Sequence, residues 1–201
     1  LTPWRRELPW QHAVSIAFPA NRTLQKNLPR AAIALRENEQ NQWIASAMSQ
    51  QLEMPAEALC FDYHLAEPQG DWNVTAAQQR DVARLQHLSR RLRLQVVAIT
   101  PDACALRAFM PQLAEADTVL LWRDDAQWAS RERWGSCALH EVAMLGERLG
   151  ITSPRLVCCT AEETPYPYFD PWSAITQKQP PLPVCGDAFA VAIGLAMGTV
   201  M

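Results

Sequence analysis

Glycine is scarce in this chain: seven of its 201 residues are glycine. Loops that cradle a phosphate expose backbone N–H groups to close approach, and they are therefore usually rich in glycine. The sequence also lacks a signal peptide and lacks an apolar run of about 20 residues, the length that a membrane-spanning helix needs. Basic residues are not in excess, because 18 lysines and arginines stand against 21 acidic residues, for a formal net charge of −3. These shortages argue against a glycine-rich nucleotide loop, membrane insertion and a dedicated nucleic-acid binder.

The cysteines include no C-x-x-C pair. They are Cys60, Cys104, Cys137, Cys158, Cys159 and Cys185. The chain is also longer than the small secreted scaffolds that disulfides hold together. Cys158 and Cys159 follow Leu156 and Val157 in a predicted buried strand, and we interpret all six cysteines as reduced packing residues.

What the chain does contain is an apolar fraction of 49%, enough for a sizeable core. Strand-like and helix-like periodicities alternate along it. The predicted strands are 13–18, 22–28, 59–65, 72–76, 94–99, 119–122, 127–134 and 155–159. The predicted helices are 37–52, 77–93, a helix that begins at Thr100-Pro101-Asp102 and ends at Pro111, 139–149 and 187–198. This interleaving predicts a mixed α/β class, with a boundary near residues 100–115.

The most apolar stretch is the last one, from Asp187 to Gly198. After Asp187 it has no charged or polar side chain. A helix that is apolar on every side is typical of a buried element. Ala192, Gly194 and Ala196 are small enough to let another backbone approach. We therefore predict a fully buried terminal helix that begins at an Asp187 cap and around which the rest of the chain folds.

Four patterns could carry chemistry, and each has a simpler explanation. The segment from His140 to Met144 resembles a zinc-protease motif, but methionine stands where the second histidine ligand must be. Asp62 and His64 share one face of a strand and could join a serine in a triad, or they could form an exposed polar face. The pairs Asp124-Asp125 and Glu162-Glu163 could do acid–base work or bind a divalent cation, although turn chemistry also explains the first. The arginines of one helix could contact phosphates or form an ordinary solvated face; they are Arg84, Arg90, Arg91 and Arg93.

Several motifs carry a resemblance to a known family. They are a strand ending in Phe18-Pro-Ala20, then Leu28-Pro29, Leu52-Glu-Met-Pro55, Phe61-Asp-Tyr63, Val74-Thr-Ala-Ala77, Ile99-Thr-Pro-Asp-Ala-Cys-Ala-Leu106, Phe169-Asp-Pro-Trp172 and Ala190-Val-Ala-Ile-Gly-Leu-Ala196. With them the chain resembles the PilM family of pilus-assembly proteins, and most of all its HofM branch of DNA-utilization proteins. The resemblance implies an actin-like, ribonuclease H-like α/β fold related to FtsA and truncated at the N-terminus. It implies a first half at 1–110, a second half at 111–186 and a helix at 187–201 that packs back on the core.

The same resemblance raises the question of ATP binding. Relatives hold ATP between two halves and bind its phosphates with turns of the Asp-x-Gly kind. The hairpin that carries the first such turn is absent from this chain. At the second, Trp122 stands near the expected aspartate and Asp124 near the expected glycine. Val157-Cys-Cys-Thr160 replaces the glycine-rich adenosine loop. We therefore expect no enzymatic activity, no cofactor and no metal, with ATP as the alternative that the family suggests.

The resemblance also implies a partner, the cytoplasmic tail of a PilN- or HofN-type single-pass protein of the inner membrane. The tail would lie in a groove beside strand 13–19 and segment 22–33. The predicted partner-binding residues are Phe18, Arg22, Leu24, Leu28, Arg30 and Ile33. We expect the three aliphatic members to be exposed anchors, and Arg22, Lys26 and Arg30 to set the peptide's register. The alternative is an ordinary half-buried strand whose lysine and arginine side chains simply face solvent.

Together these inferences predict a non-catalytic scaffold of a type IV pilus or DNA-uptake assembly, cytoplasmic and peripheral at the inner membrane. The alternatives are an actin-like ATPase of the same machinery and a direct DNA binder. Intact phosphate turns would favour the first alternative, and a basic, salt-sensitive surface the second. We expect neither membrane insertion nor direct nucleic-acid contact, and homo-oligomerisation is left open. Because the chain begins at Leu1 rather than methionine, we also expect a fragment or a processed form.

Overall fold

A computed structural model describes residues 2–10, 12–65, 70–122, 127–160, 164–179, 181–183 and 186–198. The helices are α1 (Thr2–Glu7), α2 (Glu37–Leu52), α3 (Gln79–Arg91), α4 (Asp102–Ala105), α5 (Leu145–Leu149) and α6 (Ala190–Met197). The strands are β1 (His12–Phe18), β2 (Thr23–Leu28), β3 (Leu59–Leu65), β4 (Trp72–Gln78), β5 (Leu94–Pro101), β6 (Thr118–Trp122), β7 (Gln127–Ala129), β8 (Trp134–Ser136) and β9 (Arg155–Cys158). This interleaving confirms the mixed α/β class. In the described part of the chain, no helix is both long and apolar enough to cross a membrane.

The chain divides into two compact units. The first lies within residues 2–14 and 22–97, and the second within 15–21 and 98–198. Strands β1 and β5 pair with each other, and the division falls inside both. The predicted halves are divided differently, after residue 110. Residues 98–110 belong to the second unit because Leu106 and Phe109, in a 3-10 segment that follows α4, pack in its core with Ala190 and Ile193 of α6.

The first unit is built on an antiparallel sheet with the strand order β2–β4–β3. Helix α2 covers one face of this sheet, and the core between them contains Leu28, Ile44, Met48, Leu59, Val74 and Ala76. The helix spans the predicted residues and begins with a charged first turn, in which the Glu39 carboxylate accepts a hydrogen bond of 2.8 Å from the Arg36 amide. In β3, Leu59 is buried and Phe61 and Tyr63 pack on the core, whereas Leu65 at the end of the strand is 40% exposed.

The second unit is built on a four-stranded sheet with the order β8–β7–β6–β9, in which only β6 and β9 are parallel. All five residues of β6 are buried. Leu120 and Trp122 face one core, and Val119 and Leu121 face another, so this strand is covered on both sides. The single return strand predicted for 127–134 is wrong. It is interrupted by a turn in which the Ser130 amide donates to the Arg133 carbonyl at 2.7 Å.

Helix α6 packs in the core of the second unit through Ala190, Val191, Ile193 and Gly194. The prediction of burial on every side is wrong, since Met197 is 43% exposed and Ala192 and Ala196 are exposed as well. These exposed residues line an open groove of about 510 Å³. The composition of α6 is apolar all round, yet only one side of the helix meets the rest of the unit.

Gly194 lies where α6 passes against the backbone of α4. A Cβ atom at this position would lie 2.3 Å from the carbonyl oxygen of Ala105. Such a distance is far inside van der Waals contact, and the obstacle is backbone rather than a movable side chain. Only glycine therefore fits where the two helices cross.

We predict that Gly194→Leu lowers the free energy of unfolding by roughly 1–3 kcal/mol or more, because the added atoms must push α6 away from α4. Ala196→Leu is the matched control, since it adds a leucine to the exposed side of the same helix. Urea denaturation of both variants checks this. Equal stability of the two variants would show that α6 is not held at this contact.

Candidate partner-binding surface

Strand β2 lies at the edge of its sheet. Its register against β4 places Leu28 opposite Trp72 and Leu24 opposite Ala76. Side chains alternate along a strand, so Leu24, Lys26 and Leu28 share the face that packs on α2. Among the described residues, β4 is the only strand beside β2 in this sheet. The predicted partner residues are therefore carried by an edge strand and by the segment that leads from it to α2.

Leu28 does not belong to the exposed part of this strand. It is 1% exposed and packs with Ile44, Met48 and Val74. The expectation that Leu28 is an exposed anchor for a peptide is wrong, because α2 covers the sheet at this end of β2. Leu28 is a core residue.

Phe18 is also a buried residue. It is 4% exposed and lies in the second unit, whereas the other five predicted partner residues lie in the first. A side chain that is almost completely buried cannot serve as a peptide anchor without unfolding its surroundings. We therefore do not retain Phe18 as a partner contact.

Two other aliphatic residues are exposed as predicted. Leu24 is 46% exposed although it shares a face with buried Leu28, and Ile33 is 71% exposed in the segment before α2. Lys26 is exposed between Leu24 and Leu28 on the same face, and Arg30 is exposed just after β2. We call Leu24, Lys26, Arg30, Ile33 and Trp72 the β2 surface. It combines apolar side chains with two cations that make no ion pair within the described part of the chain.

Trp72 gives the β2 surface a rigid base, and sequence reasoning missed its role. The Arg30 guanidinium lies 5.8 Å from the centre of the Trp72 ring. The ring meets Tyr63 edge-on at 5.2 Å, and the Tyr63 hydroxyl donates to Oδ1 of Asn41 in α2 at 2.7 Å. This chain of contacts fixes where Arg30 sits. The aromatic residues in the predicted strands 59–65 and 72–76 were the available clue, because aromatic residues on neighbouring strands pack together.

Arg22 differs from the other predicted cations because it has an acidic partner. Its guanidinium lies 2.8 Å from the Asp81 carboxylate in α3. The Asp81 side chain is only 11% exposed, so this pair is better shielded than an ordinary surface ion pair. Arg22 ties the start of β2 to α3, and its charge is not free to meet a peptide.

Trp122 is the residue that the resemblance places near the aspartate of the second phosphate turn. The side chain is 8% exposed and belongs to the core. Its indole N–H donates to the Asp187 carbonyl at 2.7 Å. The predicted turn residues Asp124 and Asp125, like Glu162 and Glu163, lie outside the described residues. Trp122 thus serves as a packing residue that joins β6 to the segment before α6.

The described cysteines contribute to packing rather than to a reactive site. The five described ones are free thiols, and Cys185 lies outside the described residues. Burial strongly raises the pKa of the Cys159 thiol in the segment that replaces the adenosine loop, and burial also raises the pKa of Cys60 and Cys137. Raised pKa values keep thiols protonated and unreactive.

In the described part of the chain, Asp62 and His64 each contact a different residue. His64 contacts the Asn73 amide at 3.4 Å, while the Asp62 carboxylate accepts from the Tyr63 amide at 2.9 Å. His140 lies in a 3-10 segment (Leu139–Met144) and is exposed. Within the described ranges, no three histidine, cysteine or acidic side chains are grouped to hold a metal ion. The predicted absence of a metal and of activity stays a prediction.

The chain is similar to a known protein along almost its whole length. No family model matches it. Over 203 aligned positions it is 42% identical to the DNA utilization protein HofM of Escherichia coli (strain K12). That alignment covers 98% of this chain and 76% of the relative.

Two solved structures share the fold. One is the PilM-PilN type IV pilus biogenesis complex, with a TM-score of 0.66, 16% identity and coverage of 94% of this chain and 80% of that chain. The other is the cytoplasmic domain of EpsL, an inner membrane component of the type II secretion system of Vibrio cholerae. Its TM-score is 0.60 at 13% identity, over 92% of this chain and 74% of that chain. These similarities confirm the predicted actin-like α/β fold.

The different burial of two leucines on one face of β2 can be tested directly. Leu28→Ala should lower the free energy of unfolding by about 2–5 kcal/mol, because it leaves a cavity in the core. Leu24→Ala should change it by less than about 1 kcal/mol, because Leu24 is already half exposed. Chemical denaturation of both variants measures this. A large loss for Leu24→Ala would mean that this residue is part of the core.

Proposed function

This chain belongs to the HofM family of PilM-like proteins with an actin-like fold, and from that premise we propose that it is a component of a type IV pilus or DNA-uptake assembly. Two similarities support the proposal. The relative with 42% identity is a DNA utilization protein, and one structure with the same fold comes from a pilus biogenesis complex. The protein would work in the cytoplasm at the inner membrane.

The proposed role is to bind the cytoplasmic tail of a PilN-type single-pass membrane protein through the β2 surface. The observation that carries this proposal is the uncovered end of β2. There Leu24 and Lys26 stand on a core-forming face, yet they are exposed to solvent. An extended peptide laid along this edge strand would cover Leu24 and Ile33 with its own apolar side chains.

Charge would set the register of that peptide. Lys26 on the strand and Arg30 on Trp72 are separate cations on either side of buried Leu28. Acidic groups of a tail at matching spacing would meet both of them, and Arg30 is already held in place by the ring beneath it. Preorganised contacts cost less entropy on binding, so Arg30 should contribute more than Lys26.

The proposed role is that of a scaffold rather than an ATPase. Buried Trp122 supports this, because its indole is used to pack β6 against the segment before α6. So does the buried Cys159 thiol, which lies in the segment that replaces a glycine-rich loop. Neither side chain offers a group that could bind phosphate or Mg²⁺.

We predict that Leu24→Asp weakens binding of the tail peptide at least tenfold in isothermal titration, because a carboxylate must then be desolvated against apolar groups. Leu139→Asp is the matched control, since Leu139 is 62% exposed and lies in the second unit. The melting temperature of both variants should stay close to that of the parent. If Leu24→Asp and its control bind alike, the β2 surface is not the binding site.

Arg30→Glu is expected to lower the affinity for the same peptide chiefly at low salt, because the attraction between exposed Arg30 and an acidic peptide is screened by salt. Titrations at low and at high ionic strength measure the difference. A loss of affinity that is independent of salt would instead indicate that Arg30 acts through packing on Trp72.

We also predict no thermal shift with Mg-ATP. A ligand that binds only the folded state at about 100 times its Kd stabilises it by about 2.7 kcal/mol, which a melting curve resolves easily. A clear shift with millimolar Mg-ATP would contradict the scaffold proposal and favour the ATPase alternative.

A further inference from the structure

The outer face of α3 carries a stripe of basic side chains. Arg80, Arg84, His87 and Arg91 are all exposed. Successive residues of an α-helix are about 100° apart, so these four lie within an arc of about 60°. The buried residues of the helix, Val82 and Ser89, lie on the opposite side. The stripe therefore points directly away from the surface on which α3 packs.

Acidic residues do little to neutralise this stripe. Residues 79–97 contain five arginines and a single acidic residue, Asp81. Asp81 is engaged by Arg22 at 2.8 Å. Arg80, Arg84 and Arg91 make no ion pair within the described ranges of the chain. A protein with a formal net charge of −3 thus presents one helix face that is almost purely cationic.

Exposed apolar side chains lie on α3 itself and in the segment that is hydrogen-bonded to its end. Leu88 is 41% exposed on the flank of α3 next to Arg84. Beyond the end of the helix, Trp10 is 72% exposed and the Arg93 guanidinium lies 4.9 Å from the centre of its ring. Trp4 in α1 is 44% exposed. Arginine beside exposed tryptophan and leucine is the composition of protein surfaces that lie on a membrane.

Arg5 holds Trp10 in place. Its guanidinium donates to the carbonyl of Leu92 at 2.6 Å and to that of Arg93 at 3.3 Å, just beyond the end of α3. The same guanidinium donates to the Trp10 carbonyl at 2.8 Å. Arg5 thereby ties residues 4–10 to the end of α3, so that Trp10 is presented on a fixed support rather than on a loose end.

We propose that the outer face of α3, together with Trp10, binds the headgroups of an anionic lipid bilayer. A membrane touches the protein from one side only, which suits a single outward cationic stripe on a chain whose overall charge is negative. Anionic lipid attracts each arginine near its surface, and tryptophan is favoured at the boundary between headgroups and acyl chains. A DNA duplex would engage the arginines through its phosphates, and the exposed Leu88 and Trp10 favour a bilayer over it. This proposal goes beyond the binding of a protein tail and does not depend on it.

Co-sedimentation with vesicles tests the proposal. The intact chain should bind phosphatidylcholine vesicles that contain phosphatidylglycerol, and should bind pure phosphatidylcholine vesicles much more weakly. Arg84→Glu and Arg91→Glu should each lower the affinity at least fivefold, since a single cation near an anionic surface contributes about that factor. Lys178→Glu is the matched control, because Lys178 is exposed and lies in the second unit. This substitution changes the net charge by the same amount as each arginine substitution.

Each outcome decides the matter. Loss of binding in both α3 variants, with binding kept by Lys178→Glu, supports the proposal. Equal binding to charged and neutral vesicles, equal loss in all three variants, or no binding at all overturns it. Binding of a short DNA duplex instead of vesicles, weakened by the same α3 variants, would overturn the lipid assignment and show that the face meets nucleic acid. Melting curves establish that each variant is folded.

Discussion

The packing of α2 on the β2–β4–β3 sheet decides which side chains of β2 are free to act. Where the helix covers the sheet, Leu28 is 1% exposed and contributes to the core. Four residues earlier on the same face, Leu24 is 46% exposed. One strand thus serves stability at one end and presents apolar surface to solvent at the other. The proposed binding of a partner's tail depends on this difference.

Local pattern was enough to predict much of the fold. The bounds of α2 and the presence of strands β3 and β4 follow from periodicity. Burial along β2 could not be predicted in the same way. Leu24 and Leu28 are both leucines on the same face of β2. Their burial differs only because of where α2, which follows later in the chain, covers the sheet. The exposed side of α6 was missed for a related reason, since an apolar helix does not show in its sequence which neighbours it has.

The candidate site was predicted in part. Leu24, Arg30 and Ile33 are exposed as expected, whereas Leu28 and Phe18 are buried and Arg22 is held by Asp81. The ring beneath Arg30 belongs to a residue 42 positions further along the chain, and no local pattern brings Arg30 and Trp72 together. Arg22 connects the start of β2 to α3 through its ion pair with Asp81. The proposed peptide surface and the outer face of α3 both belong to the first unit.

Hydrogen exchange of the intact chain, with and without the tail peptide of a PilN-type partner, shows whether the peptide binds at the β2 surface. Exchange reports where the backbone becomes shielded, independently of any substitution. We predict slower exchange in residues 23–36, from β2 to the start of α2, and unchanged exchange in residues 190–197 of α6. Protection confined to other segments, or no protection at a saturating concentration of the peptide, would contradict the assignment of the β2 surface.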